Sequence, residues 1–202
     1  KKQASLKVKK SGSVRLRSPQ WRFSLMLAVI AGIIICFNSI ISLRVPDIIV
    51  DDRMGTATTA GTVLSLMQLT GIVAGVGFAS LTHVFKKNLL MIMCFGFGLA
   101  LALIGLSGQL WSLVLGTLLA GFTYSTGVTS IFYHLSEKIP TNLLNLATSL
   151  VLIGCNLGSA VSSFFIQLVT PLAPSNHLLF VLIGVLMVGT GVFASQLLAR
   201  TK

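Results

Sequence analysis

The sequence predicts an all-α integral membrane fold: a six-transmembrane-helix bundle made of two inverted three-helix repeats. Three observations carry this prediction. Six apolar segments each exceed the ~17 residues that a spanning helix requires. The basic residues gather at alternate loops and at the chain ends. The polar residues inside the segments recur as polar, polar, apolar, and then again in that order. Charged residues make up only 9% of the 202 residues, and apolar residues 54%. A soluble domain is about 25% charged, so this chain lacks the polar surface with which a globule would cover its core.

The chain opens on a basic, serine-containing segment, 1–20, reading KKQASLKVKKSGSVRLRSPQ. It has no apolar run of the signal-peptide kind. It reads as a cytoplasmic linker with something normally preceding it. Anionic headgroups are a candidate partner for it, at about 1 kcal/mol per Lys or Arg near the surface. The transmembrane domain, 21–202, follows. Its spans are Trp21–Leu43, Thr58–Leu81, Leu89–Leu106, Leu110–Tyr133, Asn145–Thr170 and His177–Ala199. Apolar runs this long, without strict alternation, exclude barrel strands.

The stretch Gly71–Leu90 sets the frame. Gly71, Gly75 and Ala79 stand at i, i+4 and i+8, a small-residue stripe on which another helix can approach closely. A short loop with His83, Lys86 and Lys87 then leads directly into the next span. A tight cationic turn between two spans is cytoplasmic by the positive-inside rule. With that side fixed, thirteen of the fifteen Lys and Arg residues fall on it, and both termini are cytoplasmic. The opposite side carries Arg44 and Arg53 beside Asp47, Asp51 and Asp52, which read as a solvated loop pairing with these arginines. The net charge of +11 is therefore a topology signal, and no nucleic-acid partner is indicated.

Polar groups facing hydrocarbon cost several kcal/mol each when unpaired, so spans that carry them face protein or water. The third span has essentially none, and the sixth has Thr190, Ser195 and Gln196 near its end. The first, second, fourth and fifth are richer, and their order suggests two inverted units, with the third and sixth spans facing lipid. In the fifth span, Asn156, Ser159, Ser163 and Gln167 share one narrow face, while Gly154, Gly158 and Ser162 form a packing stripe on another. A back-bond to the preceding turn can satisfy a serine, but Asn and Gln side chains have two donors and an acceptor to satisfy. With Asn38, Gln68 and Tyr124 from other spans, Asn156, Ser159, Ser163 and Gln167 are candidates to line a substrate cavity; interhelical bonding is the competing role.

Enzymatic readings find little support. An intramembrane serine protease needs a base near its nucleophile at depth, yet His83, His134 and His177 all stand at loops or span ends. Cys36, Cys94 and Cys155 lie singly within spans and read as small buried hydrophobes. No metal-ligand cluster and no cofactor motif is present in the sequence.

Four stretches together resemble the C-terminal six-helix half of a major facilitator superfamily transporter. Pro46–Ser65 is similar to that family's opening of helix eight. Gly77–Leu90 takes in the family's G-x-x-x-D-R-x-G-R-R loop motif and keeps Gly77, Lys86 and Lys87, but has Leu81 and Thr82 where the family has Asp and Arg, and Phe85 in place of Gly. The run Gly116–Gly127, then Pro140 and Ala147–Phe165, is similar to helix ten, its loop and helix eleven, and the basic opening resembles the central cytoplasmic loop. The resemblance implies a plasma-membrane secondary transporter with alternating access and a small-molecule substrate, partnered by an N-terminal six-helix half. It implies that the first and fourth spans line the cavity, the second and fifth meet the partner half, and the third and sixth lie outside. A non-transporting scaffold, or a half-protein needing a partner half, is the alternative.

Overall fold

The computed structural model describes residues 18–85, 88–173 and 175–200. The basic opening segment up to residue 17, and Lys86 and Lys87 of the loop motif, lie outside the described residues. Among the described residues six helices form: α1 (Ser18–Asp51), α2 (Ala57–Phe85), α3 (Leu89–Gly105), α4 (Leu110–Lys138), α5 (Thr141–Val169) and α6 (Asn176–Arg200). Five are long and apolar enough to cross a membrane. The 17-residue α3 is shorter, about 26 Å.

Several helices run past the spans read from sequence, and the end of α1 runs furthest. Pro46 was placed in a loop, but α1 runs through it to Asp51. The continuation buries Val45, Ile48 and Ile49. Arg44 and Asp47 pair at 3.1 Å on either side of the proline. The helix loses the bond that an amide at position 46 would have given the Ser42 carbonyl. The charges that ended the apolar run therefore do not end the helix. The helix ends at Asp51, and the turn that closes it has Arg53 at a left-handed φ of 55°. The amides of Met54 and Gly55 then turn back to the Ile49 carbonyl at 2.9 and 3.2 Å.

The most extensive packings are α1 on α5, α3 on α6, α3 on α4 and α2 on α4. These contacts obey an internal symmetry. Ala28 and Gly32 of α1 run parallel to Gly154 and Gly158 of α5: a Cβ on Gly158 would strike the Gly32 carbonyl oxygen, and one on Gly154 the Ala28 carbonyl oxygen. The same crossing recurs between α4 and α2, where a Cβ on Gly121 would strike the Met67 carbonyl oxygen. There, Ser125 Oγ donates to the Gly71 carbonyl and Thr70 Oγ1 to the Leu118 carbonyl, each at 3.0 Å. Helices α3 and α6 cross antiparallel at Gly98 and Gly184; a Cβ on either would lie 3.0 Å from the other's carbonyl oxygen. Exchanging α1 with α4, α2 with α5 and α3 with α6 maps each crossing onto its counterpart. This is the inverted pair of three-helix units, interleaved so that each unit's first helix packs on the other unit's second.

The start of α1 and the end of α6 lie at one end of the bundle. There Lys138, closing α4, sits 5.4 Å from the ring centre of Phe23 near the start of α1. At the far end His177, opening α6, reaches the last carbonyl of α3 and Asp52 beyond α1.

Candidate functional site

The polar face of α5 is real and outward. Asn156, Ser159, Ser163 and Gln167 are all exposed on it. Asn145 and Ser149 extend the same stripe toward the helix start and are exposed too. Asn156 uses one amide proton locally, donating to the Leu152 carbonyl at 2.8 Å, which leaves its oxygen outward. Ser159 lies 3.2 Å from Ser39 of α1, hydroxyl to hydroxyl. Ser39 thus joins the face; as the residue beside Asn38 in a polar turn of the first span, it carried the same sequence signal.

The other candidates are spread more widely. Asn38 is half-buried on α1, and its enclosed amide oxygen has no hydrogen-bond partner among the described residues. Tyr124 is half-buried on α4, its ring 6.3 Å from that of Phe97. Gln68 is exposed on α2. Helices α2 and α5 flank the α1–α4 pair on opposite sides. The structure therefore brings Ser39 to the α5 face and leaves Gln68, on α2, apart from it. Asn38 matters most in this set, because a buried acceptor without a partner is unusual.

The packing stripes differ between the two helices. On α5, Gly154 and Gly158 lie against α1, and Ser162 is buried with its hydroxyl on the Ser159 carbonyl at 2.7 Å. On α2 the stripe needs correction. Gly71 faces Ser125, but Gly75 and Ala79 are exposed, and a Cβ on Gly75 meets nothing within 4 Å. The face that packs on α4 carries Met67, Gly71 and Ala74. A strict i, i+4, i+8 stripe drifts by about 40° per step on a helix of ~3.6 residues per turn. Gly75 and Ala79 therefore wind off the contact while Ala74 stays on it. Gly77 of the loop motif is equally open, with nothing within 4 Å of a Cβ.

A second concavity was not foreseen. It has a volume of about 540 Å³ and lies between α1, α5 and α6, with Gly32, Gly154 and Gly158 on its floor. None of the polar candidates lines it. No sequence signal marks it, because it depends on how far α6 stands from α1.

Among the described residues, no group of three or more His, Cys, Asp and Glu stands together. The three cysteines are unpaired and buried. The side chains gathered on the α5 face are neutral hydrogen-bonding groups.

No curated protein matches the chain. The model of the Major Facilitator Superfamily matches residues 24–202, which takes in all but the start of α1. Six apolar helices, two inverted units and a family match across nearly the whole length lead to one conclusion: the chain belongs to the major facilitator superfamily of membrane transporters.

Proposed function

We propose that the chain is the C-terminal six-helix half of a secondary active carrier that moves a small solute by alternating access, without enzymatic activity. The observation that supports this most is the exposed polar face of α5, where Ser159 lies 3.2 Å from Ser39 of α1. Such a face is costly in hydrocarbon. It is satisfied by a wet cavity or by a second helical body. The glycine-level crossings bind the six helices into a single unit, so movement belongs between this unit and an N-terminal half rather than within it.

In this reading both termini, the Gly77, Lys86 and Lys87 loop and the Lys138 loop are cytoplasmic, and the protein sits in the plasma membrane. The basic opening segment rests on anionic headgroups. Recognition from this half uses Asn38, Tyr124, Asn156, Ser159, Ser163 and Gln167. Gln68 belongs to the α2 flank, which meets the partner half.

The test is transport by the full protein in reconstituted vesicles, screened over small-solute classes. Asn38→Leu and Gln167→Leu should each lower transport at least tenfold while helicity and elution stay unchanged. A folded protein that moves no solute, with or without a co-expressed N-terminal half, would favour the scaffold reading. Unchanged transport in both variants would remove these residues from the site.

A further inference from the structure

The groove between α1, α5 and α6 exists because the internal symmetry is broken there. On the equivalent side α3 lies close on α4, with Thr123 seated over Gly96 and Ile104 and Ala100 over Gly116. The position of Gly96 is taken in α6 by Leu182, and that of Ala100 by Leu186. These larger side chains accompany a less extensive packing of α6 on α1 than of α3 on α4.

The dimensions select an occupant. Leu25 to Phe37 along α1 is a rise of about 18 Å, so a volume of 540 Å³ is a channel roughly 6 Å across. A helix with its side chains is about 10–12 Å across and does not enter. One leaflet of hydrocarbon is about 15 Å thick, half of a ~30 Å core. The groove therefore runs along the helix axes, about one leaflet long, on the side of the bundle where the chain ends lie. Its walls are apolar side chains, and the Thr190 hydroxyl is bonded back to the Leu186 carbonyl at 3.0 Å. At its outer end, one turn before Leu25 and on the same face of α1, stands the exposed Arg22, with exposed Trp21 beside it. The sequence preceding them is strongly basic. An aromatic and a cation at the headgroup level are the usual anchors of this interface.

We propose that this groove holds one acyl chain of an anionic glycerophospholipid, with its phosphate at Arg22. The lipid completes the packing that α6 leaves open against α1, and the site is distinct from the polar solute face.

The test uses the full protein in bilayers of equimolar phosphatidylcholine and phosphatidylglycerol. A phosphatidylglycerol carrying a photoactivatable group on its acyl chain should label α1 between Leu25 and Phe37 and α5 between Leu150 and Phe165. Val29→Trp or Leu186→Trp, which fill the channel from exposed positions, should abolish that label and leave labelling at Leu99 on the outer face of α3 unchanged. Arg22→Gln should lower the retention of phosphatidylglycerol over phosphatidylcholine about fivefold, the factor that one basic residue supplies at a membrane surface. Ile153→Phe is a milder filling variant should either tryptophan variant misfold. Labelling no stronger in the groove than at Leu99, unchanged selectivity in Arg22→Gln, or cross-linking of Val29→Cys to another polypeptide segment would each overturn the proposal.

Discussion

His177 Nε2 lies 2.7 Å from Asp52 Oδ2, across 125 residues of chain. Its other ring nitrogen, Nδ1, lies 3.0 Å from the Gly105 carbonyl oxygen. Asp52 and the Gly105 carbonyl thus hold the ring from both of its nitrogens. The clasp joins the ends of α1 and α3 to the start of α6. Both side chains are about one-third exposed, 34% and 37%, which limits its strength to about 1 kcal/mol. A double-mutant cycle with His177→Ala and Asp52→Ala, read by unfolding in detergent, should return a coupling of that size. Additive effects of the two variants would mean that the contact contributes nothing.

The interleaved crossings predict unequal responses to a single methyl group. Gly158→Ala and Gly121→Ala place a Cβ against a carbonyl of the neighbouring helix and should destabilise by about 1–3 kcal/mol each. Gly75→Ala, whose Cβ meets nothing within 4 Å in this unit, should leave its stability unchanged. Thermal unfolding of the three variants checks this; an equal loss in all three would contradict the assigned faces.

Arg53 closes α1 in a left-handed conformation, with φ of 55°. A side chain there costs roughly 1 kcal/mol relative to glycine. Arg53→Gly should raise stability by about that amount, and Arg53→Ala should not. Equal midpoints for the glycine and alanine variants would rule out the conformational cause.

Sidedness can be read by cysteine labelling in intact cells, after replacement of the native cysteines. Gly108→Cys and Ser175→Cys are exposed at the end of the bundle away from the termini and should react from outside. Asn88→Cys is exposed at the other end and should not. Ser107, in the same short loop as Gly108, is buried with its hydroxyl on the Ile104 carbonyl at 2.7 Å, so Ser107→Cys should react slowly. Labelling of Asn88→Cys alone would invert the topology.

Much of this architecture is visible in the amino-acid order, because hydrocarbon imposes a simple requirement: a long apolar run must be a helix, and a positive loop stays inside. The polar stripe of α5 is legible for the same reason, being a periodicity within one helix. What sequence could not supply depends on angles between helices. Gly71 and Gly75 are indistinguishable in a string, and only the winding of α2 against α4 separates them. Asp52 finding His177 rather than Arg44 or Arg53 depends on three helix ends converging. The continuation of α1 past Pro46 was hidden because Val45, Ile48 and Ile49 are too few to outweigh nearby charges in a hydropathy window, yet all three are buried.

The pairing of Gly32 with Gly158 has a consequence for how the protein is made. At roughly 5–20 residues per second, α5 leaves the ribosome some 6–25 s after the stretch of α1 against which it packs. Throughout that interval α1 presents a backbone-level notch to the lipid with nothing seated in it. A chain interrupted anywhere before α5 leaves that first helix unseated, which gives membrane quality control a local mark by which to recognise an unfinished product.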